Sequence, residues 1–441
     1  MKILFIANLR VSNKYLFHDN ATRYRCFNPA EDLNDSGHIG DVCNFEEFDT
    51  RYIDWYDAFV FHRPRLSSSL ESILAKLSSR NKLFFADYDD LIFDERYASE
   101  SPLYLSGMES LKTVCRRYRN NLQAMQLFDK ITVSTDELKK TISTCHPGSG
   151  LTVIHNGLSR GWLKSNISLG IKNDPSKKKV VTYLSGSLTH DHDFLEVEEV
   201  LARYMQKHED IFLRVVGPLN FNRNRFRHGR VMTSGLVPYN TLPKLISESW
   251  ITIAPLQNTF YNNCKTALKY FESAAFGIPV IASPIPDMLR YSDNGLLTAY
   301  DQDDWINAIE KLRDKEQYTK ISEQIMKYSH AHCISSLETA KMVRLINGLF
   351  SKGLYADSKF QGRHNTIFSS GNDHHAASSQ VSKAARLTRK LIRNPRKFIF
   401  DSKVLRILAI RGILGTKRHQ ESGLLQYSLY PARRRWKRDG K

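Results

Sequence analysis

The sequence predicts an α/β protein of two consecutive halves, and three observations lead there. Short apolar runs rich in Val, Ile and Phe alternate with longer amphipathic stretches, the pattern of parallel strands joined by helices. The runs form two series separated by a polar segment. Each run ends in polar or turn-forming residues, where open α/β sheets place their ligands.

The first series comprises strands at Lys2 to Ala7, Ala58 to His62, Lys82 to Ala86, Lys130 to Ser134 and Thr152 to His155. Asn156-Gly157 closes it. The polar stretch that follows, with Gly161, Gly170, Pro175 and a lysine run, reads as an interdomain linker. The second series comprises Val180 to Leu184, Ile211 to Val216, Arg230 to Thr233, Ile251 to Ala254 and Pro279 to Ala282. Leu337, Ala340, Val343, Ile346 and Leu349 give a closing helix, and a segment rich in Ser, Asn, Gly and His follows it. The expected boundaries are therefore a first domain over 1–160, a linker over 161–178, a second domain over 179–334, a closing helix over 335–350, a flexible linker over 351–380 and a tail over 381–441. Two such halves imply a cleft between them.

A chain of 441 residues with 41% hydrophobic content buries a large core, which excludes a disordered protein. The net charge of +18 is not spread evenly. From Val381 onward there are 18 lysines and arginines against 3 acids, so the tail holds +15 and the body is nearly neutral. Six scattered cysteines, without CxxC pairs, indicate neither a zinc site nor a disulfide framework and fit a reducing cytoplasm. The start MKILFIANLR lacks the order of a signal peptide, and no run of about 18 apolar residues is present to span a bilayer.

The richest segment is Asn262 to Ser283, NNCKTALKYFESAAFGIPVIAS. On a helix from Lys265 to Ala275, Lys265, Lys269 and Glu272 share one face, and Ala267, Phe271, Ala274 and Ala275 form a small apolar face suited to a sheet. Asn262 or Asn263 is positioned to cap it, and Gly277 with Pro279 to stop it. The amino end of such a helix offers unpaired N–H groups to a diphosphate, with Lys265, Thr266 and Lys269 alongside, and Glu272 suits a ribose diol. The plainer reading of Lys269 and Glu272 is an exposed intrahelical ion pair worth about 0.2–0.5 kcal/mol.

The run Glu272-Ser273-Ala274-Ala275-Phe276-Gly277-Ile278-Pro279-Val280 resembles the carboxyl-terminal signature of the GT-B retaining glycosyltransferases, family 4-like, of the bacterial surface-polysaccharide type. The resemblance covers roughly residues 1 to 350 in element order. It implies two Rossmann-like domains, a nucleotide-diphosphate sugar as substrate, no metal or other cofactor, and front-side displacement in which the leaving diphosphate takes the acceptor proton. That family carries a further glutamate, eight positions before the one that Glu272 matches. This sequence has Cys264 there, which shifts weight to Lys265 and Lys269.

Further candidates lie at other strand ends. Gly186 and Ser187 follow the first strand of the second half, where a glycine lets backbone approach phosphate, and His190 and His192 stand where relatives place cations. The alternating His and Asp match no strong metal spacing, so no metal is assigned; helix capping by Thr189 or Asp191 is the structural alternative. In Ala86-Asp87-Tyr88-Asp89-Asp90, Asp89 is a candidate for orienting the acceptor, with a turn or capping role equally open. Arg23 and Arg25 are candidates for gripping a phosphate or carboxylate on the acceptor, or are simply solvated. Gly217-Pro218 and Gly235 to Tyr239 resemble cleft loops of the same family, the latter near the base.

In the tail, Leu387, Leu391, Ile392, Phe398, Ile399, Leu405, Leu408 and Ile413 interleave with cations at helical spacing. This composition suits a basic amphipathic element that sets Arg389, Lys390, Arg393, Arg396 and Lys397 against anionic lipid and buries Phe398. Such a wealth of Leu and Ile argues against a nucleic-acid partner. The expectation is a transferase moving sugar to a lipid-linked glycan or surface-polysaccharide precursor, cytoplasmic and peripheral on the inner membrane face. The rival is an inactive scaffold of the same fold recruited through its tail.

Overall fold

The computed structural model describes residues 1–9, 16–169, 179–187 and 190–354. Two six-stranded sheets, both wholly parallel, organise them. In the first, β1 (Lys2–Ala7), β2 (Ile39–Asn44), β3 (Ala58–His62), β4 (Leu83–Tyr88), β5 (Lys130–Val133) and β6 (Gly150–Val153) run in the order β2-β1-β3-β4-β5-β6. In the second, β7 (Lys179–Leu184), β8 (Ile211–Val216), β9 (Val231–Ser234), β10 (Ile251–Ala254), β11 (Val280–Ala282) and β12 (Leu297–Thr298) run in the order β12-β11-β10-β7-β8-β9. Strands such as β3, AFVFH, are buried along their whole length because helices cover both faces of the sheet, which explains runs of apolar residues without alternation.

Ten of these strands are the expected ones, shifted by no more than a few residues. The two additions are edge strands. β2, with Gly40, Asp41 and Asn44, lacks an apolar run, and β12 is only two residues long. Asp41 is tolerated there because Tyr56 donates its hydroxyl hydrogen to Asp41 Oδ2 at 2.9 Å.

Six helices position the site: α1 (Asn28–Asp35), α2 (Leu111–Met125), α3 (Arg160–Leu169), α4 (Asp191–Lys207), α5 (Leu268–Ala274) and α6 (Ser335–Ser351). The segment expected as linker begins as α3, not as coil: Trp162, 1% exposed, sits in the core of the second domain. One buried indole outweighs the polar composition around it. The remainder of that segment, 170–178, lies outside the described residues.

The closing helix α6 returns to the first domain. Thr339 Oγ1 donates to the buried Asp32 Oδ2 of α1 at 3.0 Å, and Glu338 accepts from the His155 amide at 3.0 Å. The crossing is tight at Gly157, where a Cβ would lie 2.5 Å from the Ser335 nitrogen. The flexible linker beyond Leu354 and the basic tail, with Arg389, Lys390, Arg393, Arg396, Lys397 and Phe398, lie outside the described residues. Among those described, no helix is long and apolar enough to cross a membrane.

Each domain has its own apolar core, with one trespass. Tyr261 and Cys264, from the second domain's sequence, are buried in the core of the first. The turn between β10 and α5 therefore fastens the two halves together.

Candidate functional site

The carboxyl ends of both sheets face the seam between the domains. In the first sheet Ala7, His62, Asp87 and Thr132 lie side by side in register on β1, β3, β4 and β5. Asp87 is the hub of a buried polar group. It accepts from Arg25 Nε at 3.0 Å and from Thr132 Oγ1 at 2.7 Å, pairs with Arg25 Nη2, and lies 2.9 Å from His62 Nδ1. Burial opposes its charge, but Arg25 and His62 outweigh burial and hold the carboxyl well below its usual range. His62 Nε2 is buried without a hydrogen-bond partner among the described residues.

This group corrects two expectations. Arg25 is not an acceptor-gripping side chain; it is buried, and besides Asp87 it donates to the Ile154 carbonyl and to Asn156 Oδ1. Asp89, expected to orient an acceptor, is committed to Arg63, whose Nε approaches Asp89 Oδ1 at 2.5 Å while Nη2 reaches Asp90 at 3.0 Å. In both cases the sequence places the charges at the right strand end, but their opposite partners lie there too. Arg23 is likewise paired, in a bidentate fork with Glu31 at 2.6 and 2.9 Å, and its guanidinium stacks between Phe17 and Tyr239.

The local reason is a π-helical turn at Arg23–Phe27, between a short turn at Asn20–Thr22 and α1. Widening the turn here sends Arg25 down to Asp87 and Tyr24 across the seam, a distortion often found at functional sites. Tyr24 donates to Glu272 Oε1 at 2.6 Å.

On the other side, the expected helix from Lys265 to Ala275 is shorter than its pattern. A single turn at Phe260–Asn263 comes first, capped by Thr259, and α5 starts only at Leu268. Lys265 and Thr266 thus lie in the turn before the helix. Asn262 does not cap α5, because its side chain is spent on Asp193 Oδ1 at 2.9 Å and the Gln257 carbonyl at 3.0 Å. The Ala267 amide, expected to be open to a diphosphate, donates to the buried Asp287 Oδ2 at 2.7 Å. The lysine pair stands at the same turn.

The pair is electrostatically unusual. Lys269 makes no ion pair among the described residues; its Nζ lies 5.1 Å from the centre of the Tyr183 ring. Burial, and then the like charge of Lys265, lower its pKa to about 8. Lys265 Nζ is 3.9 Å from Asp193 Oδ2 and 5.7 Å from the Tyr261 ring centre. Asp193 of α4 also accepts from the Gln257 amide at 3.1 Å and lies 3.0 Å from His190 Nδ1. Burial opposes its ionisation, yet His190 and Lys265 bring its pKa to about 2. Burial pushes His190 down to about 4, so its ring is neutral at pH 7.

Glu272 completes this face. It is 7% exposed, and burial raises its pKa to about 7 against the pull of Tyr24 and Lys269. Its backbone carbonyl accepts from Trp162 Nε1 at 3.2 Å. An aromatic cluster of Phe17, Tyr24, Trp162 and Tyr239 surrounds it, with ring centres 4.9 to 6.3 Å apart around Tyr239.

The turn after β7 closes the arrangement. A Cβ on Gly186 would sit 3.6 Å from Asn20 Nδ2 and 4.0 Å from His190 Nε2, so this backbone lies directly against the first domain. Ser185 Oγ donates to the Ser187 carbonyl at 3.0 Å. Behind it Gly217, with φ of +99°, packs where a Cβ would overlap the Ser185 carbonyl oxygen at 1.8 Å. His192 stands apart on the rim, its Nε2 3.1 Å from the Leu105 carbonyl. Thr266 Oγ1 accepts from Asn156 Nδ2 at 3.4 Å.

The structure therefore brings together Gly186, His190, Lys265, Lys269 and Glu272, and adds Tyr24 and Asp193. Asp193 is legible in hindsight as the acid three residues after His190, one turn along α4. Tyr24 carries no signal, because a π-turn leaves no mark in residue periodicity. Among the described residues no group of three or more His, Cys, Asp or Glu could hold a metal ion.

The family described as Glycosyl transferases group 1 matches residues 179–315. No curated protein matches the chain. Among solved structures, sucrose-phosphate synthase from Thermosynechococcus elongatus is similar at 14% identity, with 80% of this chain and 100% of that one covered and a TM-score of 0.56. An alpha-glucosyltransferase, AGT, in complex with UDP is similar at 11% identity over 79% of this chain and 100% of that one, with a TM-score of 0.54. HepE of Anabaena, in complex with UDP and glucose, is similar at 14% identity over 79% and 100%, with a TM-score of 0.51. Two parallel sheets meeting at their carboxyl ends give the chain the GT-B fold that it shares with these structures, and the segment that matches the glycosyl transferases group 1 family forms the half that carries Lys269 and Glu272.

Proposed function

We propose that the chain transfers a sugar, with retention, from a nucleotide-diphosphate donor to a lipid-linked glycan or surface-polysaccharide precursor, working peripherally at the cytoplasmic face of a membrane without a metal cofactor. The observation that carries the donor is Lys269, a half-buried cation with no ion-pair partner among the described residues, beside Lys265 and the turn at Gly186. A diphosphate supplies the missing charge, Glu272 receives the ribose hydroxyls, and His190 flanks the sugar. The UDP named for AGT and HepE supports a nucleotide donor. The basic tail supports the membrane and the lipid-linked acceptor.

Lys269→Ala tests the donor reading. Melting is followed with UDP-, GDP- and TDP-sugars, one of which stabilises the wild type. The variant binds that sugar at least about tenfold more weakly, a loss of about 1.4 kcal/mol. Equal stabilisation of variant and wild type ends the diphosphate assignment. Cys264, in place of a glutamate, favours a second reading as a non-catalytic scaffold. Tight donor binding with neither hydrolysis nor transfer supports that reading.

A further inference from the structure

Asp193, 4% exposed on the first turn of α4, is filled on both oxygens. Oδ1 accepts from Asn262 Nδ2 at 2.9 Å and from the Gln257 amide at 3.1 Å. Oδ2 lies 3.0 Å from His190 Nδ1 and 3.9 Å from Lys265 Nζ. The amide, the Asn262 side chain and the Lys265 ammonium all favour the ionised carboxyl, which can only accept. In the contact with His190 the proton therefore sits on Nδ1.

Burial, and then Lys265 and Lys269, disfavour a second proton on this ring, so it is neutral at pH 7. With Nδ1 protonated, Nε2 carries a bare lone pair. That atom makes no hydrogen bond among the described residues. It lies at the seam, where a Cβ on Gly186 would be 4.0 Å from it and 3.6 Å from Asn20 Nδ2 of the first domain.

His190 thus differs from the cation expected at this strand end. A lone pair is repelled by phosphate oxygens, which are acceptors as well, and is complementary to an O–H or N–H. On the proposed reading Lys265 and Lys269 meet the diphosphate and Glu272 the ribose, which leaves the hydroxyls of the transferred sugar. Nearby carboxylates compete poorly for them, since Asp193 is filled and Asp89 and Asp90 are held by Arg63. We infer that Asp193 is a positioning residue that locks His190 in its Nδ1–H form, and that His190 Nε2 reads one hydroxyl of the donor sugar, selecting against donors deoxygenated there. The hydroxyl rests on the nucleotide-sugar reading; the state of the ring does not.

Two measurements on the full chain test this. In protein with isotope-labelled histidine nitrogens at pH 7 and without ligand, the signals lost in His190→Ala show Nδ1 protonated and Nε2 bare. Asp193→Asn, whose amide both donates and accepts, mixes the two neutral forms. A wild-type ring that is charged, or that carries its proton on Nε2, overturns the proposal whatever the variants do. For the hydroxyl, melting is followed with UDP-, GDP- and TDP-hexoses, and the one that stabilises the wild type most is compared with its monodeoxy analogues. One analogue binds the wild type about fivefold or more weakly than its parent, the size of one hydrogen bond, and His190→Ala narrows that difference to about twofold or less. Equal binding of every analogue to the wild type overturns the assignment, as does a difference that survives in His190→Ala. Failure of every unmodified nucleotide sugar to stabilise the wild type sinks the donor reading itself, and the hydroxyl with it.

Discussion

Tyr24 holds Glu272 across the domain seam, its hydroxyl 2.6 Å from Oε1. On the proposed reading a ribose hydroxyl competes with the phenol for this carboxylate, and donor entry breaks the bond. Tyr24→Phe keeps the ring and removes the competitor. Without ligand the variant is destabilised by about 1–3 kcal/mol, because a buried acceptor loses its donor. The melting increment produced by the donor then grows relative to wild type. A smaller increment in the variant would mean that Tyr24 assists the donor and does not compete with it.

The same seam predicts a narrow pH optimum. Glu272, at about 7, faces Tyr24 and Lys269; Lys269, at about 8, faces Lys265, Asp193 and Glu272. Below about pH 7 Glu272 takes up a proton and accepts fewer hydrogen bonds, and above about pH 8 Lys269 loses the charge that meets phosphate. For the free enzyme kcat/KM for the donor is thus bell-shaped, with limbs near these two values. Glu272→Gln removes the acid limb and leaves the alkaline one. The linked stability runs the other way. A carboxyl raised above its unfolded value near 4.5 favours the fold when protonated, so its contribution is full below that value and is lost as pH rises through about 7. An acid limb that survives in the glutamine variant assigns that titration elsewhere.

Cys264 stands where the family that the sequence resembles carries a glutamate, and its surroundings predict that a glutamate is not accommodated there. It is 1% exposed, packed in the first domain's core, with its carbonyl accepting from Thr135 Oγ1 at 3.0 Å. Burial pushes its thiol up to about 12. Cys264→Glu places a carboxyl where no cation waits, at a cost of about 2–5 kcal/mol, and parts the seam. The variant melts lower and gains no turnover, whereas Cys264→Ala stays close to wild type. A rise in turnover for the glutamate variant would mean that the position still faces the donor.

How far the sequence reaches is clear from particular residues. β1, β3 and β10 coincide with their apolar runs because strands buried on both faces leave a near-continuous hydrophobic mark. β2 is invisible because Asp41 and Asn44 are satisfied by partners distant in sequence. Lys269 and Glu272 are legible as one helical face, yet the start of that helix is not. Asn262 is drawn to Asp193, 69 residues away, and Asp287 takes the Ala267 amide. Charged residues at strand ends point to the site in general. Which of them are free depends on pairing that no local pattern encodes, as Arg23, Arg25 and Asp89 illustrate.

Arg25 provides the sharpest test of that distinction. Its side chain and that of Asp87 are buried together at 3% and 2% exposure, with Ile154 and Asn156 taking the remaining donors. Arg25→Met keeps most of the bulk but strands the Asp87 charge, so the variant loses about 3–5 kcal/mol in urea denaturation. Arg25→Met with Asp87→Asn recovers part of the loss, because the unpaired charge is gone; a double-mutant cycle reads the coupling directly. In protein that remains folded, the acceptor KM is unchanged, since the guanidinium never reaches the acceptor. The opposite outcome, an unaltered urea midpoint with a raised acceptor KM, would place Arg25 in the acceptor site and its partnership with Asp87 in doubt.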